Sequence, residues 1–153
     1  DFEVEPHLVL GWVDPPGEVD GDGYGLGVRG TYEIVDPGFI AGLNNTVGVG
    51  VGVDWVNYKS DPCYRDNGSV FCDGEDHQNY LWVPIVLQWN FYLHDQWSVF
   101  GEPGTALRLN GPDDGRIDPF VLYLGGRWHF SDAATLTMRV GYPAFSVGVS
   151  FLY

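Results

Sequence analysis

Apolar and polar residues alternate along most of the chain with a period of two. In the segment 23–35, the even positions Tyr24, Leu26 and Val28 are apolar, and the positions between them are mostly glycine or charged. Successive side chains of a strand point to opposite faces, so this alternation predicts strands with one apolar and one polar face. No stretch repeats apolar residues at the spacing of an amphipathic helix, and we expect an all-β chain.

Segments with this alternation predict eight strands. Their approximate bounds are 6–13, 23–35, 43–58, 79–92, 96–109, 117–130, 134–142 and 144–153. We expect residues 1–153 to form a single domain, an antiparallel up-and-down β-barrel, in which residues 1–5 are an N-terminal extension.

The connections between the predicted strands differ between the two ends of the barrel. Those at 93–96 and 131–134 are short, whereas acidic outer loops are predicted at about 14–22, 59–78 and 110–116. Membrane barrels have short periplasmic turns and longer outer loops. The asymmetry therefore favours a transmembrane barrel.

The composition of the polar face predicts that it lines the interior. Its charges have both signs, as buried charges require, because each needs a partner. Glycines on the same face leave room for long side chains in a narrow eight-stranded barrel. We therefore predict a polar, filled interior and an apolar exterior. The interior polar network is predicted to contain Arg29, Glu33, Asp54, Gln88, Glu102, Arg108, Arg127 and Arg139.

Large aromatic residues lie on the apolar face close to the predicted strand ends. They are Trp12, Tyr24, Trp55, Trp89, Phe91, Trp97, Trp128, Phe130 and Tyr142. Aromatic rings favour the headgroup level of a bilayer, so these positions predict two interfacial girdles.

The net charge of −14, with a single lysine, argues against nucleic acid as a partner because no basic cluster is present to neutralise phosphates. Asp20 and Asp22 are weak candidates for calcium ligation, but the full EF-hand loop pattern is absent and a solvated acidic loop explains them better. We expect no cofactor and no resident metal.

Cys63 and Cys72 are the two cysteines of the chain and lie in one polar connection. No second cysteine pair completes a zinc site, and a disulfide that closes this loop is predicted. A disulfide implies an oxidising compartment.

The segment 145–153, FSVGVSFLY, carries a recognisable pattern. Ser146, Gly148, Phe151 and Tyr153 resemble the C-terminal assembly signal of Gram-negative outer-membrane proteins. With the strand count and the loop asymmetry, the chain resembles the small eight-stranded barrels of the OmpA, OmpX and opacity type. The resemblance implies a bacterial outer-membrane location at the cell surface, a cleaved signal peptide, contact with membrane lipid, and insertion by the barrel-assembly machinery.

The stretch around His129 and Ser131 superficially resembles the His-Ser motif of outer-membrane lipid A deacylases. Nucleophilic catalysis needs a third group that orients the base, and no suitable acid follows Asp132. Ser131 is better explained by a tight turn. His7, His77 and His94 show no partner pattern, and we expect surface or turn positions for them.

These observations predict a non-enzymatic outer-membrane barrel with a structural or adhesive role through its acidic outer loops. Three alternatives stay open. The chain could be a self-assembling subunit of an outer-membrane or extracellular array or filament, with neighbouring copies against its apolar face. It could be a soluble, lipocalin-like barrel that binds a small ligand. The third alternative is a lipid A-modifying enzyme.

Overall fold

The computed structural model describes residues 1–11, 23–60, 63–66, 69–72, 76–110, 115–142 and 144–153, and it describes side chains outside 59–78. Within these ranges the chain consists of strands and their connections. No helix in the described ranges is long and apolar enough to cross a membrane.

The described residues form ten strands. They are β1 Phe2–Gly11, β2 Gly23–Val35, β3 Asn45–Ser60, β4 Cys63–Asp66, β5 Ser69–Cys72, β6 Asp76–His94, β7 Trp97–Arg108, β8 Ile117–Ser131, β9 Ala134–Tyr142 and β10 Ala144–Leu152. Eight of these strands close a barrel in the circular order β1-β2-β3-β6-β7-β8-β9-β10, and β4 and β5 form a separate two-stranded sheet. All neighbouring pairs in the barrel are antiparallel. The predicted fold class is confirmed.

The structure corrects two of the predicted boundaries. The first strand begins at Phe2, so residues 2–5 are not an extension: Glu3 and Glu5 pair with Thr31 and Arg29 of β2. The predicted outer loop 59–78 also contains regular structure, since β3 runs to Ser60, β6 starts at Asp76, and β4 and β5 lie between them. At 59–60 and 76–78 the residues are all polar or charged, so hydrophobic alternation gives no signal there although the backbone ladder continues.

The first and last strands meet side by side and close the barrel. The Phe2 amide donates to the main-chain oxygen of Tyr153 at 3.1 Å, and the Tyr153 amide donates to the Phe2 carbonyl at 2.9 Å. Farther along the same seam, Leu8 is the partner of Val147. A closed ladder leaves no free strand edge within the barrel wall.

The two ends of the barrel have different connections. One end, here called the turn end, carries the connection 36–44 and the two-residue turns 95–96 and 132–133. Phe2 and Leu152 also lie at this end. The opposite end, called the loop end, carries the connections that contain the three predicted acidic loops.

Candidate functional site

The outer surface of the barrel is apolar around its whole circumference. Every barrel strand contributes a large apolar side chain that is 40–59% exposed. One example from each strand is Leu8, Leu26, Val51, Leu87, Val99, Leu124, Val140 and Phe151. An apolar belt this continuous is expected on a surface that meets hydrocarbon rather than water.

Aromatic side chains flank this belt. At the turn end, the Trp97 and Trp128 rings stack with their centroids 6.5 Å apart, and Trp128 lies 6.0 Å from Phe130. Trp89 and Phe91 form a neighbouring pair at 5.3 Å. At the loop end, the exposed aromatic side chains on the outer face include Tyr24, Trp55 and Tyr142. Trp12 lies outside the described residues. The arrangement matches the two girdles of a membrane barrel.

Glu102 on β7 is the centre of the buried polar network. Its side chain is 0% exposed and accepts hydrogen bonds from the Arg29 guanidinium at 2.6 Å and the Gln88 amide at 2.7 Å. Arg139 Nε donates to it at 3.0 Å. Because the donors come from β2, β6 and β9, one carboxylate connects four strands through the lumen. Hydrogen bonds of this kind compensate the desolvation of a buried charge.

Two carboxylates of β1 accept further hydrogen bonds inside the lumen. Glu5 accepts from Arg139 Nη1 and, at 3.1 Å, from the Ser150 hydroxyl. Glu3 accepts from Arg127 Nη2 through both oxygens, at 2.8 Å and 2.7 Å. The first strand therefore supplies the partners of two arginines that lie late in the sequence.

His7, also on β1, is buried, and the expectation of a surface or turn position was wrong. Its Nε2 lies 2.9 Å from Asp54 Oδ1, and Arg29 Nη2 lies 3.6 Å from the other oxygen of Asp54. His7 is 5% exposed because it occupies an inward-facing position of the strand. The sequence held a usable signal: in FEVEPHLVL the odd positions Glu3, Glu5 and His7 are polar, and the even positions are apolar or proline.

Aromatic rings inside the lumen lie against the guanidinium groups. Phe100 contacts two of them, with its ring centroid 4.6 Å from Arg127 and 5.0 Å from Arg139. Arg29 lies 5.3 Å from the centroid of the Tyr123 ring. These contacts stabilise the cations where water is excluded.

Toward the loop end the lumen becomes apolar, a feature that sequence reasoning missed. Arg108 Nε donates to Asp118 at 2.6 Å, and its guanidinium lies 5.7 Å from the centroid of the Trp82 ring. Beside it is a layer of buried apolar side chains, here called the aromatic layer. Its members are Val9, Val56, Tyr58, Tyr80, Trp82 and Ala144. The Tyr58 ring lies against the strand positions Gly11 and Gly23, where the space of a Cβ is already occupied by the ring.

Glu33, another member of the predicted network, lies apart from the Glu102 cluster. It is half-buried near the turn end, opposite Gly48, and the described hydrogen bonds do not join it to Glu102. It lines a cavity of about 340 Å³ at the turn-end mouth. Gln88 and Arg127 also line this cavity. Beyond this mouth lie the Glu102 cluster and, toward the loop end, the aromatic layer.

Comparison with solved structures gives a match over almost the full chain. A structure from the de novo design of transmembrane β-barrels matches with a TM-score of 0.60 and 11% identity, over 97% of this chain and 93% of that chain. The predicted resemblance to small membrane barrels is confirmed at the level of the fold. No family model and no curated protein sequence matches the chain.

Two natural outer-membrane structures match less closely. The outer membrane protein Ail of Yersinia pestis, solved in a phospholipid bilayer nanodisc, has a TM-score of 0.45 and 12% identity and covers 100% of both chains. The translocator domain of the autotransporter NalP from Neisseria meningitidis has a TM-score of 0.36 and 13% identity, with 99% of this chain and 88% of that chain covered. At these TM-scores the two structures add nothing to the assignment of the fold.

The remaining candidate residues fall in different places. His129 Nε2 lies 2.9 Å from the hydroxyl of Ser98, not of Ser131, which is exposed beyond a register shift at the end of β8. Asp20 and Asp22, the calcium candidates, lie outside the described residues. The side chain of His77 also lies outside the described part of the chain, whereas His94 is exposed at a tight turn. Within the described ranges, no three potential ligands are grouped so that they could hold a metal ion.

The residues of the predicted assembly signal lie on both faces of β10 and just after it. Ser146 and Gly148 face the lumen, and Phe151 and Tyr153 are exposed.

The side chains of the two cysteines lie outside the described part of the chain. In the backbone, Cys63 of β4 and Cys72 of β5 are direct cross-strand partners.

Proposed function

We propose that the protein is a non-enzymatic barrel of the bacterial outer membrane that holds its acidic loops at the cell surface, with a structural or adhesive role. The observation that carries the proposal is the inside-out arrangement of the barrel. Apolar side chains such as Val51 and Leu124 are exposed around the wall, whereas charged side chains such as Glu102 and Arg139 are buried and paired inside it. A soluble ligand-binding barrel needs the opposite arrangement, with an apolar lumen.

The filled lumen supports an anchoring role rather than transport. Glu102 and Arg139 are almost completely buried at mid-barrel, and Tyr58, Tyr80 and Trp82 occupy the lumen toward the loop end. A pathway for solutes would require these groups to move apart. We therefore expect no discrete conductance when the purified barrel is added to a planar lipid bilayer.

The loop asymmetry supports an orientation in which the turn end faces the periplasm. The longer acidic connections then lie outside the cell, where they can contact a partner. Export with a cleaved signal peptide and insertion by the barrel-assembly machinery, guided by Ser146, Gly148, Phe151 and Tyr153, belong to the same proposal.

A disulfide between Cys63 and Cys72 fits the proposed location. Directly opposite residues of an antiparallel pair have Cα atoms about 4.5–5.5 Å apart, within the range that a disulfide spans. A covalent link across β4 and β5 would hold the outer hairpin together in the oxidising environment outside the cell.

The membrane part of the proposal is tested by comparing the purified chain with and without detergent. We expect a monodisperse barrel in detergent or lipid vesicles, with a heat-dependent shift on a gel, and aggregation when the amphiphile is removed. A soluble monomer without detergent would contradict the proposal, and ordered filaments without detergent would favour the self-assembling alternative.

The adhesive role is tested separately on bacterial cells. Neutralising the loop residues Glu18, Asp20 and Asp22 to Gln or Asn should reduce adhesion to a host-cell or matrix-coated surface, whereas Asp95→Asn, at the turn end, should not. If all strains adhere equally, the adhesive role is contradicted and the structural role remains.

The enzymatic alternative is tested by mass spectrometry of lipid A from cells that carry the native chain or His129→Ala. A modification of lipid A that requires His129 would contradict a non-enzymatic role.

A further inference from the structure

The connection between β2 and β3, residues 36–44, differs in chemistry from the other connections. Its single charged residue is Asp36, in a chain whose net charge is −14. Its large apolar side chains are nonetheless exposed: Phe39 by 69%, Ile40 by 39% and Leu43 by 55%. The two-residue turns at the same end instead carry Asp95 and Asp132.

A buried asparagine fixes the shape of this connection. Asn45 is 0% exposed, and its side-chain amide donates to the carbonyls of Ile40 at 3.0 Å and Leu43 at 2.9 Å. Its side-chain oxygen accepts from the Trp89 indole at 3.0 Å. Gly42 has a φ of 85°, a left-handed conformation that glycine adopts without strain. The loop is therefore held in a shape that displays its apolar side chains.

The exposed side chains continue the lipid-facing surface. The Phe39 ring lies edge-on to Trp89, with centroids 6.1 Å apart, and Trp89 belongs to the turn-end girdle. The Tyr92 amide donates to the Asn44 carbonyl at 2.9 Å, which brings the loop beside Leu93, itself 67% exposed. We call Phe39, Ile40, Leu43 and Leu93 the apolar turn patch.

We propose that the apolar turn patch inserts into the boundary between headgroups and acyl chains in the leaflet at the turn end. The occupant is lipid, because the patch adjoins the girdle and the belt that meet lipid along the barrel wall. Apolar side chains beside a bilayer are buried at this boundary, whereas charged turns stay in water. The patch would thus set the depth and tilt of the barrel, as interfacial anchors do. The inference rests on the proposed placement of the barrel in a membrane.

Site-specific fluorescent labelling in vesicles tests this inference. The background variant is Cys63→Ser/Cys72→Ser, and three positions receive a single cysteine labelled with nitrobenzoxadiazole: Leu43→Cys in the patch, Asp132→Cys as a turn-end control, and Val51→Cys in the belt. The proteins are reconstituted in phosphatidylcholine vesicles that contain nitroxide-labelled lipids, and iodide serves as the aqueous quencher.

We expect the label at position 43 to emit at shorter wavelength than the label at 132, with quenching by headgroup-region nitroxides and several-fold weaker quenching by iodide. The label at 51 should respond to acyl-chain nitroxides. If the label at 43 responds to iodide as strongly as the label at 132 while the label at 51 responds to lipid, the barrel spans the bilayer and the patch inference is wrong. Protection of the label at 43 from both quenchers would mean a protein contact and would also overturn it. Iodide quenching at 51 would instead contradict the membrane placement itself.

Discussion

Arg139 on β9 donates to Glu102 on β7 at 3.0 Å and also to Glu5 on β1. These two strands lie on opposite sides of β9, and a further strand separates each of them from it. The Arg139 guanidinium thus connects β7 and β1, neither of which is paired with β9 through backbone hydrogen bonds. Backbone hydrogen bonds hold neighbouring strands together, and this network holds the barrel together across its lumen.

Removing the charge of Glu102 should strongly destabilise the barrel. Glu102→Gln leaves Arg29 and Arg139 buried beside a neutral amide, and loss of one partner from a buried ion pair costs about 3–5 kcal/mol. Glu33→Gln is the matched control, because Glu33 is half-buried at the mouth, and we expect a change within about 0.5 kcal/mol. Urea unfolding in lipid vesicles, followed by tryptophan fluorescence, measures both values. Equal effects would show that the Glu102 cluster has no special role in stability.

The contact between Tyr58 and Gly11 predicts a second stability difference. A Cβ at Gly11 would lie 2.8 Å from Tyr58 Cζ, so Gly11→Ala must displace a buried ring. Overpacking of this kind costs about 1–3 kcal/mol. At Gly30 the nearest atom to a Cβ is Phe2 Cζ at 3.5 Å, and Gly30→Ala should be tolerated. The same unfolding assay compares the two variants, and a stable Gly11→Ala protein would contradict the described packing of Tyr58.

Lysine substitutions on the outer wall test how deep each position lies in the bilayer. Val51 lies midway along β3 on the belt, where a lysine would contact hydrocarbon and should cost about 2–4 kcal/mol. Asn57 lies near the loop end of the same strand, where the cost falls to about 0–1 kcal/mol. Unfolding in vesicles of defined thickness gives the two values. A soluble barrel would show no such dependence on position.

The predicted disulfide is tested by thiol titration. In the oxidised protein, denatured without reductant, we expect no reactive thiol, and after reduction we expect both Cys63 and Cys72 to react. The double variant Cys63→Ser/Cys72→Ser should keep the unfolding midpoint of the barrel, because β4 and β5 form a sheet separate from the barrel wall. Two reactive thiols before reduction would rule out the pairing.

The alternation of residue types was sufficient to predict the eight strands of the barrel wall and the face of most of their side chains, but it did not predict β4, β5 or the start of β1. Side-chain period two is a local property, and the segments around Val28, Val51 and Val140 display it within about ten residues. Alternation does not show how far along the barrel axis a residue lies from either end. Glu33 and Glu102 were therefore assigned to one network, although Glu33 lies at the mouth and Glu102 in the centre.

The pairing inside the lumen could not be predicted because it depends on the register of the whole barrel. Arg139 is 37 residues from Glu102 and 134 residues from Glu5, and nothing local relates these positions. The aromatic layer did have a local signal, since Tyr80 and Trp82 share the inward parity of Gln88.

The carboxylates of β1 are paired only when the last strands of the chain are in place. Glu3 is paired with Arg127, which is 124 residues away in sequence, and Glu5 is paired with Arg139, which is 134 residues away. The two arginines lie on β8 and β9, near the end of the chain. A barrel in which these late strands have not yet docked holds unpaired carboxylates on its first strand, and such groups resist transfer into an apolar environment. Docking of the late strands therefore pairs both carboxylates, and a partly assembled barrel lacks this stabilisation of the finished one.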